Sequence, residues 1–220
     1  MKKQFAVVGL GRFGSSVCRT LISQGAEVLA IDIDAAKVDE FREIATHAVV
    51  ADSTDEQALK NLGVRNFEHI VVAIGDNIQA SILTTLILTE LGVQHITVKA
   101  QNDYHEKVLN KIGAERVIHP ERDMGLRIAH NLLSKNVIEY FELSDHYSII
   151  ELLANQKMCR RSLNDLNIRA RYGCTIVAIK RMKEVIVAPQ ADEIIQQGDV
   201  LIIIGEDDKL SRLEQQMTDK

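Results

Sequence analysis

Phe5-Ala6-Val7-Val8-Gly9-Leu10-Gly11-Arg12-Phe13-Gly14, a helical stretch, and then Val28-Leu29-Ala30-Ile31-Asp32 make up the part of this sequence that decides its fold. An apolar run entering G-x-G-x-x-G, then a helix, then a second apolar run ending in an acid, is the order of a βαβ unit with a phosphate loop. Gly9 permits the tight turn, Gly11 lets a pyrophosphate approach the backbone, and Gly14 lets the helix pack close against the strand. The free N–H groups and the helix dipole favour an anion there. Asp32, about 20 residues beyond Gly11, ends the second strand, where a carboxylate can bind a ribose diol and argues against a 2′-phosphate. An adenine nucleotide is therefore expected at this loop.

Outward from that unit, strand and helix alternate. The pattern predicts strands at Phe5–Val8, Val28–Asp32, Ala48–Ala51, Ile70–Ile74, Ile96–Val98 and Arg116–Ile118. Helices are expected over Arg12–Ser23, Ala35–Ile44, Asp55–Leu62, Ile78–Leu91 and Tyr104–Ile112. The strands are near-continuous Val, Ile and Ala, as in a parallel sheet covered on both faces. Gly25, Gly63, Gly92 and Gly113 fall just past helix ends, and Thr54-Asp55-Glu56-Gln57 reads as a capping box. A linking helix over Asp123–Lys135 follows His119-Pro120-Glu121 and is the one candidate hinge. Beyond it, short strands at Ile149–Leu153, Thr175–Lys180, Val185–Ala188 and Val200–Gly205 are expected, with a small helix from Ser162 and a terminal one from Asp207. The expected fold is α/β: a doubly wound parallel-sheet Rossmann-like domain over 1–135, linking helix included, then a small α+β lobe over 136–220.

At 220 residues the chain is long enough to bury a full core without staples. Cys18, Cys159 and Cys174 are odd in number and widely spaced, which suggests neither disulfides nor a zinc knuckle and fits a reducing cytosol. Met1-Lys2-Lys3 runs directly into strand residues with no leader pattern. The longest uncharged segment, Asn77 to Thr89, is too short to span a bilayer, so no direct membrane insertion is expected. A net charge of −5, no tryptophan and 4% aromatics argue against nucleic-acid binding.

Several side chains could carry chemistry. A guanidinium at Arg12, inside the loop, suits an additional phosphate; the alternative is a solvated first-turn arginine. Asp34 is either a ligand contact or the N-cap of the next helix, and Lys37 follows one turn later. Asp52-Ser53, Ala73-Ile74-Gly75 and Lys99 end three successive strands at the carboxyl edge, where an open sheet binds its ligand. Glu121 is either a helix-initiating acid or a ligand for a hard cation beside polyphosphate. In the back lobe Arg160, Arg161, Arg169, Arg171, Lys180, Arg181 and Lys183 concentrate positive charge, as a solvated face or as a site for a phosphorylated ligand edged by Asn167-Ile168-Arg169-Ala170. No two of the seven histidines stand at i, i+4, and none has ligand-like spacing to a cysteine, so spacing gives no transition-metal site. No nucleophile or general-base motif is present, and the chain does not read as an enzyme.

Taken together, the glycine loop, Asp32, Ala51-Asp52-Ser53-Thr54, Arg116-Val117-Ile118-His119-Pro120-Glu121 and the small lobe with Gly198-Asp199-Val200-Leu201 resemble the RCK (KTN) regulatory subunits of bacterial Ktr potassium uptake systems, of the KtrA and KtrC type. The resemblance covers essentially the whole chain. It implies a cytoplasmic homo-octameric ring, peripheral to the inner face of the membrane, that gates a separate membrane-embedded channel subunit. It further implies ATP and ADP competing at a loop site of Gly9, Gly11, Arg12, Phe13, Gly14, Asp32, Asp34, Lys37, Asp52, Ser53, Ala73, Gly75 and Lys99. Arg12 would reach the terminal phosphate and Lys99 would assist. Glu121 would help hold a divalent cation or Na+ near the phosphates. Cyclic di-AMP would inhibit through Asn167, Ile168, Arg169, Ala170 and Thr175. Ala51-Asp52-Ser53 departs from the glycine-led version of its motif. The rival readings are an NAD-dependent oxidoreductase, for which the second lobe is small, and an NADH-sensing repressor, for which a basic domain is missing.

Overall fold

In the computed structural model, which describes residues 3–133, 136–144 and 146–217, six strands form one parallel sheet. They are β1 (Gln4–Val8), β2 (Glu27–Asp32), β3 (His47–Val50), β4 (His69–Val72), β5 (Ile96–Lys99) and β6 (Arg116–Ile118), in the order β3-β2-β1-β4-β5-β6. That order reverses direction between β1 and β4, which opens a crevice at their carboxyl ends. Successive side chains of β1 and β2 feed two different cores, as the pleat requires. Ala6, Val8, Leu29 and Ile31 join one apolar cluster, while Val7, Val28 and Ala30 join the other. Helices α1 (Arg12–Ser23) and α2 (Ala35–Asp39) cover the second face through Cys18 and Val38; α3 (Glu56–Asn61), α4 (Ile78–Glu90) and α5 (Asp103–Lys111) cover the first through Leu59, Leu88 and Leu109. The doubly wound architecture is as expected.

The differences lie at element ends and have local causes. The helix expected to Ile44 stops at Asp39. Beyond it, i to i−3 bonds such as Phe41 N–H to Val38 O (2.9 Å) and Ile44 N–H to Phe41 O (3.2 Å) carry the chain through turns that still bury Phe41. The capping box expected at Thr54 is not formed: Thr54 bonds back to Asp52 Oδ1, and Asp55 is the N-cap of α3, accepting from Gln57 N–H at 2.8 Å. The linking helix α6 (Pro120–Leu133) begins three residues before Asp123, with proline at its first position, where its missing N–H costs nothing. Its expected end at Lys135 lies outside the described residues.

The chain divides into two compact units, one through Glu121 and one from Arg122. The second holds a five-stranded antiparallel sheet of β7 (Val137–Ser144), β8 (Tyr147–Leu153), β9 (Thr175–Arg181), β10 (Glu184–Val187) and β11 (Val200–Glu206), ordered β10-β9-β11-β8-β7. β7 was not expected from the sequence. Two register shifts along its pairing with β8 break the two-residue alternation by which a strand is read. The small helix from Ser162 is two short ones, α7 (Leu163–Leu166) and α8 (Ile168–Tyr172), divided at Asn167, whose φ is +45°. Inward residues of β8 and β11, including Ile150, Leu152, Leu201 and Ile203, pack with Leu210 and Leu213 of α9 (Asp207–Met217).

Candidate nucleotide site

The loop after β1 is held from both sides. Gly9 takes φ +93° and donates its N–H to Ile31 O at 2.8 Å; a Cβ there would sit 3.0 Å from the Ala73 backbone. A Cβ on Gly14 would lie 1.8 Å from Gly9 O, so α1 could not approach β1 with any larger residue. Gly11 differs from both. Its φ of −66° suits any residue and a Cβ would meet nothing within 4 Å, yet it lines the open cleft. The space in front of Gly11 is the room a pyrophosphate needs against the backbone.

Asp32, at the end of β2, is 7% exposed and organises this loop. Its Oδ2 accepts from Leu10 N–H at 2.6 Å and its Oδ1 from Asp34 N–H at 2.9 Å, with Lys37 Nζ 3.9 Å away. The carboxylate that sequence reading offers to a ribose is thus also the clamp joining the two βα turns. Asp34 caps α2, accepting from Ala36 N–H at 2.9 Å. On β3's side, Ser53 is buried and shares a 2.8 Å hydrogen bond with Thr84 Oγ1 of α4; Asp52 accepts from the N–H and hydroxyl of Thr54, which hold its carboxyl below the usual range.

A cleft of about 340 Å³ opens at this carboxyl edge, with Gly9, Gly11, Asp32, Lys37, Asp52, Ser53, Ala73 and Gly75 among its lining. Ile33, Thr54, Asp76, Asn77 and Ala80 line it as well. Sequence reading did not assign these to the site. Asn77 carried a usable signal, since an amide just before an apolar helical run is an N-cap, and it does cap α4 by accepting from Ala80 N–H. Phe13 turns into the apolar core beside α1 and contributes packing there.

Three charged residues singled out from separate parts of the sequence gather on this edge. Lys99 Nζ donates to Glu121 Oε1 at 2.5 Å, and Lys99 Nζ lies 3.4 Å from where a Cβ on Gly75 would be. The hydrogen bond from Lys99, with further help from the charge of Arg12, holds the Glu121 carboxyl below its ordinary range. Glu121 and Arg12 are exposed while Lys99 is mostly buried. The arrangement offers anion donors and one ionised carboxylate to whatever lies along the loop. It offers no activated nucleophile: Cys18 is buried and its thiol is pushed up to about 11 by that burial.

In the second unit, Arg169 and Ala170 are exposed on α8, Asn167 is exposed at the joint before it, and Thr175 is exposed at the start of β9. Ile168 points into the core at 3% exposure. Three of the seven basic residues counted here are engaged within the fold. Arg181 pairs with Asp199 at 2.8 Å and Glu193 at 3.0 Å, Lys180 with Glu151 at 2.5 Å, and Arg161 donates to Asp165 O.

The TrkA-N domain family matches residues 5–120 and the TrkA-C domain family matches residues 147–218. Ktr system potassium uptake protein C of Bacillus subtilis (strain 168) is 63% identical over 99% of this chain and 98% of its own length. The chain belongs to the RCK (KTN) family of Ktr-system potassium uptake proteins. The family's protein A from Vibrio alginolyticus is 39% identical over 95% of each chain. Among solved structures the GsuK channel superposes over the whole chain with a TM-score of 0.72 at 17% identity; this chain spans 40% of that one, and the likeness is one of fold. The chain pairs a Rossmann-like parallel domain with a smaller antiparallel lobe. No helix among the described residues is long and apolar enough to cross a membrane.

Proposed function

We propose that this chain is the nucleotide-sensing regulatory subunit of a potassium channel, switched by ATP against ADP. Near-full-length identity to Ktr uptake proteins supports the transport role. The observation that carries the switch is the charged corner of Arg12, Lys99 and Glu121 on the edge that holds the cleft. ATP and ADP share adenine, ribose and two phosphates, which the uncharged part of the cleft and Asp32 would hold alike. They differ only at the end these charges can sense, and a switch needs a difference in affinity between two states.

Residues 1–135 form the nucleotide domain with its linking helix, and 136–220 the ligand-binding and dimerisation lobe. A cation beside the phosphates, divalent or Na+, fits one feature of this edge: the Glu121 carboxylate is exposed and ionised. One carboxylate falls short of the roughly six to eight oxygens that a hard cation such as calcium takes, so phosphate oxygens, water or a second copy of the chain would complete the set. In the back lobe, Asn167, Arg169, Ala170 and Thr175, with the Ile168 backbone, would receive cyclic di-AMP, the guanidinium pairing with a phosphate. The partner is a membrane-embedded Ktr-type channel subunit, met by a cytoplasmic ring of eight copies. The chain is a regulator and not an enzyme.

A thermal-shift screen of the purified chain with ATP, ADP, NADH, NADPH and cyclic di-AMP tests this reading. A ligand at about 100 times its dissociation constant adds roughly 2.7 kcal/mol. Shifts with ATP, ADP and cyclic di-AMP are expected, whereas a shift with NADH alone would replace the switch with a redox sensor or dehydrogenase.

A further inference from the structure

The opposite, amino edge of the parallel sheet carries a second constellation. His69 opens β4, His95 immediately precedes β5, and Glu115 immediately precedes β6, so three neighbouring strands each present one ligating side chain at the same end. The sheet ladder fixes their spacing: Ile70 N–H donates to His95 O at 2.9 Å, and Glu115 N–H to Ile96 O at 3.0 Å. One ligating atom from each of the three residues lies within 4.8 Å of the other two. His95 Nδ1 and Glu115 Oε2 are 3.0 Å apart, and the rings of His69 and His95 stack at 6.0 Å with an interplanar angle of 5°. Thr97 Oγ1, 2.8 Å from His69 Nε2, fixes that ring as an outer partner fixes a metal-bound imidazole.

We infer that His69, His95 and Glu115 form a binding site for a zinc-type divalent transition metal, with water in the fourth position. Two imidazoles and a carboxylate are a donor set that zinc accepts, while magnesium and calcium call for oxygen alone. Ligands of a tetrahedral site with bonds of ~2.0 Å stand roughly 3.3 Å apart, close to the His95–Glu115 separation. His95 and Glu115 are about half exposed, at 56% and 47%, so both can rotate onto an ion while His69 stays fixed. The spacing rule that gave no transition-metal site in the sequence missed this because its ligands come from three strands that only the sheet brings together. The site is independent of the nucleotide reading, since its three residues stand at the opposite ends of their strands.

The test is calorimetric titration of the chelator-stripped, tag-free chain with zinc chloride in excess magnesium. One equivalent of zinc per chain is expected, with His95→Ala and Glu115→Gln each weakening it roughly tenfold or more. Glu106→Gln, in a separate cluster with Asp103 and His119, should leave the titration unchanged, and ATP shifts should be the same in all variants. No zinc uptake by the wild type, wild-type affinity in both site variants, or loss of zinc on Glu106→Gln would each overturn the assignment.

Discussion

Charged residues in the two units are used in opposite ways. In the parallel domain, Arg12 and Glu121 sit exposed on the edge that also holds a glycine loop and an open cleft, and Lys99 holds Glu121 there. In the antiparallel lobe, the two adjacent cations at the end of β9 are taken up by the fold. Arg181 ties β9 to Asp199 before β11 and to Glu193, and Lys180 ties it to Glu151 of β8. A count of cations along a sequence therefore says little about a phosphate site until the internal pairs are subtracted. What remains exposed near α8 is Arg169 with its neighbours.

The contrast predicts separable phenotypes. The largest effect belongs to the spent charges: Asp199 is 1% exposed and accepts two hydrogen bonds from Arg181 and one from Gln196 N–H. Asp199→Ala should cost the lobe about 3–5 kcal/mol in urea unfolding by removing two charge-assisted hydrogen bonds from Arg181 and stranding Gln196 N–H, with Glu193 left as the carboxylate partner of Arg181, and without changing ATP affinity. Burial pushes the Asp199 carboxyl up, but Arg181 and the Gln196 N–H more than offset it and leave it below its ordinary value. Its stabilisation is complete above the unfolded value of about 3.9 and is lost as pH falls below that toward the lower folded value. Acid melts of wild type and Asp199→Asn should converge in that window.

Asp32 stands between the two uses, being both clamp and cleft wall. Asp32→Ala strands the Leu10 and Asp34 N–H groups and should cost about 1–3 kcal/mol in thermal or urea unfolding, and it should also weaken ATP and ADP equally. Loss of nucleotide with full stability would separate the ribose role from the clamp. Smallest in stability is Arg169→Ala, which should leave the melting temperature in place and weaken cyclic di-AMP roughly tenfold by calorimetry, the worth of one charge-assisted hydrogen bond. Unchanged cyclic di-AMP affinity would remove Arg169 from that site.

The parallel domain was legible because each of its signals is local. A strand-glycine-helix order, apolar strands and glycines past helix ends can all be read from short windows. That Asp32 faces the carboxyl-edge cleft was legible from its distance to Gly11, but its clamp on Leu10 was not, since that bond spans two βα turns. β7 escaped because its register shifts scatter the pattern Val137-Ile138-Glu139-Tyr140-Phe141 between faces. The His69, His95 and Glu115 cluster escaped for the deeper reason that strand neighbours across a sheet leave no trace in spacing along the chain.

The central claim is that the charged corner reads the terminal phosphate, and calorimetric titration of ATP and ADP into wild type and Arg12→Ala tests it most directly. The account predicts that the variant loses roughly tenfold in ATP affinity and little in ADP affinity, so that discrimination narrows. Equal losses for both nucleotides, or none for either, would contradict it.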